Sequence, residues 1–168
     1  QKGNKPASVH VRYHSVNRFF KWCLREGERE DNPVDYIAPP RLPQVIQPFY
    51  EAQNVEAILK AIVRKSTYAL RDIAGVRTLF DTGVRASELC GMKVEDLDWK
   101  DLSIKVTGNA GKERYVGIGH TTAQAIERYI RRRHGNSPYL WLVTGNRGPF
   151  TINGLRMMLE RHFKDAGV

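Results

Sequence analysis

The sequence predicts an α+β protein that is mostly helical and carries one small antiparallel β-hairpin. Most segments repeat apolar residues at helical spacing, whereas residues 102–118 alternate apolar and polar residues around a glycine-rich turn. Five prolines fall within residues 32–48, which favours an extended linker. We therefore expect two parts, residues 1–44 and residues 45–168, with the linker closing the first part.

The first part contains one amphipathic helix, predicted from Ala7 to Gly27. A single helix with so much apolar surface is not stable by itself, and residues 1–44 supply no partner helix. Either this helix packs on the rest of the chain, or it is the end of a longer helical domain.

In the second part, helices are predicted both before and after the hairpin along the chain. Two helices come first, and another begins at Arg85. The hairpin then leads to a helix that Thr121 or Thr122 caps, an extended segment, and a last helix that Thr151 caps. In chain order the ranges are 54–64, 67–82, 85 onward, 102–107, 113–118, 121–134, 139–143 and 151–166.

The composition limits the classes of function. There are 27 basic and 18 acidic residues, a net charge of +9, which favours a polyanionic partner such as nucleic acid. The sequence shows neither an apolar run of membrane-spanning length nor a signal peptide. Cys23 and Cys90 lie in helical patterns without metal-ligand spacing, so we expect reduced, buried thiols and a cytoplasmic protein without a membrane partner.

The most informative segment surrounds Arg85. Gly83 ends one helix and Arg85 begins the next, although a helix N-terminus favours negative charge. A phosphate bound at this corner would remove the conflict, and Glu88 on the same helix face can hold the guanidinium in place. The alternative is an ordinary surface ion pair between residues 85 and 88, which taken alone is the commoner arrangement.

The turn of the hairpin offers a second group of cations. Lys112 and Arg114 follow a glycine-rich turn whose backbone can approach a phosphate closely. The alternative is a solvated turn whose charges protect a sheet edge. The order of the motifs distinguishes these alternatives: a helix, Asp-Thr-Gly-Val-Arg-x-x-Glu-Leu-x-Gly, an acidic turn, a strand, Gly-x-x-Gly-Lys-Glu-Arg, a strand and a helix.

This order resembles the catalytic domain of the tyrosine recombinases, the phage integrase family. Asn-Arg-Phe-Phe-Lys-Trp at residues 17–22, followed by Gly27 and Asn32-Pro33, is similar to the last helix and linker of that family's core-binding domain. The resemblance covers nearly the whole chain. It implies that residues 1–44 end an all-α, DNA-clamping domain and that residues 45–168 form the first two-thirds of a helical catalytic domain with a small antiparallel sheet.

The resemblance implies site-specific recombination or integration of double-stranded DNA by transesterification through a 3′-phosphotyrosine, without metal or cofactor. Arg85 corresponds to a catalytic arginine that stabilises the phosphate, and Glu88 to its support. A lysine of the hairpin protonates the departing oxygen, a step that arginine cannot perform. The resemblance also suggests a set of DNA contacts, mainly with phosphates. These are Arg12, Arg18, Lys21, Arg25 and Arg114.

One departure concerns the proton donor. Many family members carry a lysine where this chain has Asn109, and an amide cannot act as a general acid. Lys112 is the remaining lysine of the turn, and we expect it to take this role. Lys105 lies on the strand, where solvent exposure or a backbone contact is expected instead. Trp22 and Trp99 are expected to pack in the core or between domains.

A second departure concerns the rest of the active site. The family's His-x-x-Arg motif is not found, because His162 is followed by Asp165 where arginine is required. Tyr115, Tyr129 and Tyr139 all lack the context of the nucleophile. We therefore expect the chain as given to be monomeric and inactive in cleavage, and the full-length protein to act as a homotetramer on DNA. The alternatives are a non-catalytic DNA-binding protein or decayed integrase on the same scaffold, and an RNA-binding or structural protein.

Overall fold

The computed structural model describes residues 4–43, 49–62, 67–108, 111–143 and 148–168. The chain divides into two compact units, Gln1–Phe49 and Tyr50–Val168. The boundary predicted at residue 45 lies outside the described residues. The predicted fold class is confirmed: helices dominate, and the described strands form one small antiparallel sheet.

The first unit is built on helix α1, Pro6–Arg25. A proline suits the first turn because its missing N–H has no partner there anyway, and Gly27 ends the helix with a left-handed φ of 76°. The turn that follows is held by the buried Asn32, whose amide donates to Asn17 Oδ1 at 2.9 Å. Asn32 Oδ1 in turn accepts the N–H of Val34 at 3.1 Å, and the Val34 side chain is buried.

Much of the apolar surface of α1 is exposed within this unit. Phe19 is 56% exposed and Trp22 is 46% exposed, whereas Cys23 is buried. Within its unit, Trp22 therefore does not pack in the core, which is one of the two places that the sequence predicts for it. Trp99 of the second unit is likewise 46% exposed, and the buried tryptophan there is Trp141.

The second unit contains five helices in its described residues. The predicted 67–82 segment forms a helix with the same bounds, because the apolar side chains recur on one face. Helix α3 packs mainly against α5, and α2 against α6. The helices are α2 (Ala52–Ala61), α3 (Thr67–Thr82), α4 (Ala86–Gly91), α5 (His120–Arg132) and α6 (Ile152–Ala166).

The core of this unit lies between the helices and the sheet. Ile58, Ile104, Ile126 and Leu155 are each 2% exposed or less, and burial of such a side chain contributes about 1.5–3 kcal/mol. The Trp141 ring stacks on Tyr129 with centroids 5.8 Å apart. This core fixes the positions at which α3, α4 and the sheet meet.

The sheet has three antiparallel strands in the order β1-β2-β3. They are β1 (Leu97–Asp98), β2 (Ser103–Thr107) and β3 (Glu113–Gly117), and a 3-10 turn at Val94–Asp96 precedes them. Ile104 and Val106 of β2 point into the core, as alternation predicts. The sequence did not reveal β1, because two residues are too short to show an alternating pattern.

The helix ends confirm one predicted cap and correct another. Thr151 caps α6 as predicted, with its Oγ1 accepting the N–H of Gly154 at 3.0 Å. The cap predicted at Thr121 or Thr122 is wrong, because α5 begins after Gly119 and Thr122 is buried. The Asp81 carboxylate, at the end of α3, accepts the Gly119 N–H at 2.5 Å and supplies the negative charge that this helix start favours. None of the helices in the described ranges is long and apolar enough to cross a bilayer.

Candidate active site

The corner at Arg85 is built by a helix stop followed at once by a helix start. Gly83 has a φ of 62° and donates its N–H to the Leu79 carbonyl at 2.9 Å, which ends α3. Arg85 is the N-cap of α4, and its backbone N–H donates to Glu88 Oε2 at 2.8 Å. This bond is the glutamate half of a capping box. Because α4 has only six residues, its macrodipole is small, and the Arg85 guanidinium is the main positive group of the corner.

Glu88 is a buried carboxylate that two arginines share. Only 3% of the residue is exposed. Arg114 donates to it through both terminal nitrogens, at 2.7 Å and 2.9 Å, and Arg85 Nη1 donates at 3.1 Å. These bonds lower the Glu88 pKa from 4.5 to about 2: the largest cause is the Arg114 side chain, followed by the Arg85 backbone N–H, and burial opposes them. Glu88 is therefore ionised at neutral pH and aims the Arg85 guanidinium.

The hairpin turn lies against this carboxylate. Gly108 donates its N–H to the Lys112 carbonyl at 2.7 Å, which closes the turn. A Cβ atom added at Gly108 would lie 3.2 Å from Glu88 Oε1 and 3.5 Å from the Lys112 oxygen. Glycine permits this approach, so the Arg85 corner and the hairpin form one site, although they are separate in sequence.

Arg85 and Lys112 of this site remain available to an outside ligand. The Arg85 side chain is 71% exposed, and among the described residues its guanidinium bonds only to Glu88. Lys112 is exposed, and its ammonium has no hydrogen bond or ion pair with the described part of the chain. A planar guanidinium with free donors, beside a turn that bears a lysine, suits an oxyanion such as a phosphate. Asn109, at the lysine position of many family members, lies outside the described residues.

The sequence suggests that Arg114 contacts DNA, whereas in the structure it pairs with Glu88. Its bidentate contact with Glu88 raises the Arg114 pKa, with the hydrogen bond as the largest cause. The side chain is still 44% exposed, so it keeps donors for a further contact. The 26-residue separation between Glu88 and Arg114 is why the sequence did not show this pairing. Contact of Arg114 with DNA stays a prediction.

Lys105 is the other lysine near the hairpin, and it is engaged by carboxylates. Its Nζ lies 3.4 Å from Glu113 Oε1 and 3.8 Å from Asp96 Oδ1. Glu113 is the main cause of a raised Lys105 pKa. A paired ammonium releases its proton less readily, which favours Lys112 over Lys105 as a proton donor.

The other candidate DNA contacts lie on α1, in the first unit. All four side chains are exposed, and Arg25 pairs with Glu26 at 3.2 Å. Exposed cations along one helix can contact phosphates. The four are Arg12, Arg18, Lys21 and Arg25.

Sequence reasoning missed a buried ionic network around Asp72. Arg71 donates to Asp72 Oδ1 at 2.9 Å and 2.6 Å, while Arg161 Nη2 and His162 Nε2 lie 3.1 Å and 2.9 Å from Oδ2. Arg71 also donates to the Leu142 carbonyl at 2.8 Å. This network ties α3 to α6 and gives His162 a structural role. Its only sequence signal was an adjacent Arg-Asp pair inside an apolar helix pattern.

Tyr129 packs in the core, Tyr115 lies on the surface, and both cysteines are buried. Tyr129 is buried, its hydroxyl accepts the Leu142 N–H at 3.2 Å, and burial raises its pKa. Tyr115 is 70% exposed on β3. Cys23 and Cys90 are free and buried, as predicted, and burial raises the pKa of Cys90. Within the described ranges, no three His, Cys, Asp or Glu side chains converge as a metal site.

Comparison with known proteins adds a family match. Residues 48–168 match the model of the phage integrase family. One curated relative is the tyrosine recombinase XerC of Staphylococcus saprophyticus subsp. saprophyticus, which is 30% identical over 99% of this chain. The chain spans 58% of that relative's length.

Solved structures share the fold at low sequence identity. The Tn1549 transposon integrase, in complex with circular intermediate DNA, has a TM-score of 0.74 and 23% identity over 99% of this chain and 60% of its own. A lambda integrase tetramer bound to a Holliday junction has a TM-score of 0.77 and 17% identity over 98% of this chain and 49% of its own. At these identities the likeness establishes the fold alone.

Proposed function

Because the chain belongs to the phage integrase family, we propose that it is part of a site-specific recombinase that cuts and rejoins double-stranded DNA. One observation carries the proposal. The exposed Arg85 guanidinium is held by the buried Glu88, which Arg114 locks in place beside the turn that bears Lys112. A surface ion pair alone would need neither the second arginine nor the glycine contact.

The proposed reaction is a transesterification at a DNA phosphate. A tyrosine hydroxyl loses its proton to solvent as its oxygen attacks the phosphorus, the bond from phosphorus to the 5′ oxygen breaks, and a 3′-phosphotyrosyl link forms. Arg85 binds the non-bridging oxygens and stabilises the charge that develops on them. The departing 5′ oxygen takes its proton from Lys112. The family's attacking tyrosine follows a His-x-x-Arg motif that this chain does not contain, so we expect this chain to bind DNA without cutting it.

The proposed partner is duplex DNA. The net charge of +9 and the exposed cations of α1 favour a polyanion. The Tn1549 and lambda integrases are seen with DNA, and the latter as a tetramer. By this likeness we propose that the full-length protein acts as a homotetramer on DNA and that the 168-residue chain is a monomer in the cytoplasm.

A non-catalytic DNA-binding protein on the same scaffold is the second candidate. The observation that favours it is Asn109, which replaces the lysine that many family members use as the acid. The two candidates agree on DNA binding and differ on cleavage by the full-length protein.

Duplex binding is tested with the 168-residue chain in a filter-binding assay over a range of salt concentrations. We expect the affinity to fall steeply with salt, since phosphate contacts release counterions. Replacement of Arg12, Arg18 and Lys21 by alanine should flatten the log–log salt slope by roughly 1 for each phosphate that is no longer neutralised. The matched control replaces Arg128, Arg131 and Arg132 of α5 and should change the slope little. Absence of duplex binding at low salt would contradict both candidates.

A further inference from the structure

Helix α1 carries a pair of histidines that no part of the proposed reaction uses. His10 and His14 are four residues apart, so they lie one above the other on the same helix face. Their Nε2 atoms are 3.0 Å apart and their ring centroids 4.3 Å apart. The two ring nitrogens therefore lie next to each other at the surface of the helix.

The separation of these nitrogens suits two ligands of a single metal ion. Imidazole nitrogens lie about 2.0–2.1 Å from a bound Zn²⁺, and Cu²⁺ and Ni²⁺ favour ligands near right angles. At angles of about 90–100°, two nitrogens at such distances lie about 2.9–3.1 Å apart, and at the tetrahedral angle of Zn²⁺ they lie about 3.3–3.4 Å apart. The observed 3.0 Å matches the right-angled ions, and a few tenths of an ångström of side-chain rotation would give the separation that Zn²⁺ needs.

The neighbourhood of the pair restrains one of its rings. The Tyr13 ring contacts the His14 ring edge-on, with centroids 5.4 Å apart, and the Tyr13 hydroxyl donates to the Ile37 carbonyl at 3.1 Å. This anchored tyrosine limits the rotation of His14, so less side-chain entropy is lost when a metal binds. No third metal-ligating side chain joins the pair in the described ranges, which leaves positions for water.

We propose that His10 and His14 form a binding site for one divalent transition-metal ion, namely Cu²⁺, Ni²⁺ or Zn²⁺. The ion links two successive turns of α1 and stabilises the helix that carries the candidate DNA contacts. It takes no part in the proposed phosphate chemistry, which uses Arg85, Glu88 and Lys112 of the other unit. The proposal is independent of the proposed function.

Titration calorimetry of the 168-residue chain with CuCl₂ and with ZnCl₂ tests this site. Removal of an outer-shell partner alone weakens metal binding by roughly 10- to 100-fold, so removal of a ligand should weaken it at least about tenfold. We therefore expect His10→Ala and His14→Ala each to weaken the tightest binding event by about tenfold or more. His120→Ala, which removes an exposed histidine of α5, should bind as the wild type does.

A register variant separates chelation from the mere presence of two histidines. The double variant His14→Ala/Ser15→His keeps two histidines on α1 but places them five residues apart, on different sides of the helix. We expect it to bind as weakly as His14→Ala, with circular dichroism showing an intact helix. Metal binding unchanged in the single variants, or restored in the register variant, would overturn the proposal and leave an ordinary imidazole–imidazole hydrogen bond.

Discussion

At the scale of single residues, the site is organised around one carboxylate. Glu88 uses both oxygens to hold Arg114 and also accepts bonds from Arg85, which it places at the edge of the site. A buried carboxylate without such partners would be unfavourable and would take up a proton. The paired arginines thus keep Glu88 charged, and Glu88 keeps Arg85 oriented.

The depressed pKa of Glu88 predicts a pH-dependent contribution to stability. Because its folded-state pKa is about 2, below its ordinary 4.5, the ionised group stabilises the fold above pH 4.5 and loses that effect as the pH falls toward 2. Glu88→Gln should therefore be less stable than the wild type at pH 7, and the gap should narrow by pH 3. Urea unfolding of both proteins at the two pH values measures this.

The control for this prediction is Glu56→Gln. Glu56 forms an exposed pair with Lys60 at 3.8 Å, which contributes little to stability. Its substitution should leave the unfolding free energy nearly unchanged at both pH values. A Glu88→Gln gap that stays constant from pH 7 to pH 3 would show that ionised Glu88 is not what stabilises the corner.

Substitution of Lys112 should slow catalysis, whereas substitution of Asn109 should not. In the full-length protein, Lys112→Ala should slow strand cleavage by roughly 100-fold or more, since a general acid typically contributes 10²–10⁴-fold. Asn109→Ala should leave the rate nearly unchanged, because an amide donates no proton to the departing oxygen. Single-turnover cleavage of a duplex substrate compares the rates of the two variants. A larger loss of rate in Asn109→Ala than in Lys112→Ala would contradict the assignment of the proton donor to Lys112.

At the scale of elements, the site depends on contact between α4 and the β2–β3 turn. Gly108 is the contact point, and Glu88 Oε1, the oxygen nearest to it, is held in place by hydrogen bonds from Arg114 and Arg85. A Cβ atom at position 108 must therefore push either the carboxylate or the turn away by a few tenths of an ångström. The close approach, rather than an unusual backbone conformation, is what favours glycine here.

Gly108→Ala tests this contact. Overpacking of a well-packed position typically costs about 1–3 kcal/mol, and we expect a decrease in unfolding free energy in that range. Gly117→Ala, with open space around the added carbon, should stay within about 0.5 kcal/mol of the wild type. Chemical denaturation of the 168-residue chain measures both. Equal stability of the two variants would show that the turn does not lie against Glu88.

The elements also show which parts of the fold the sequence could predict. Helices with regular apolar spacing, such as α3, and caps within one segment, such as Thr151, depend on neighbours in sequence and were predicted correctly. The cap of α5 was not, because Asp81 lies 38 residues from Gly119. The Glu88–Arg114 pair was also missed, because its members lie 26 residues apart in sequence. The Arg85–Glu88 pair was visible because one helical turn joins its members.

At the scale of the whole molecule, the candidate phosphate contacts of α1 and the Arg85 corner lie on separate units. The first unit offers exposed cations along α1, and the second holds the Arg85 corner. Binding spread over many phosphates depends little on any one contact, whereas transition-state stabilisation at one phosphate depends strongly on its arginine. Replacement of the Arg85 guanidinium should therefore affect DNA cleavage far more than DNA binding.

The most direct test of the account is Arg85→Lys in the full-length protein. A lysine keeps the charge but cannot make the two-pronged contact of a guanidinium, so cleavage of a duplex substrate should fall by roughly 100-fold or more. Duplex affinity should change by less than about threefold, and Arg132→Lys on α5 should change neither quantity. Covalent protein–DNA adduct on a denaturing gel reports cleavage, and filter binding reports affinity. Cleavage by Arg85→Lys at the wild-type rate would contradict the assignment of Arg85 to the scissile phosphate.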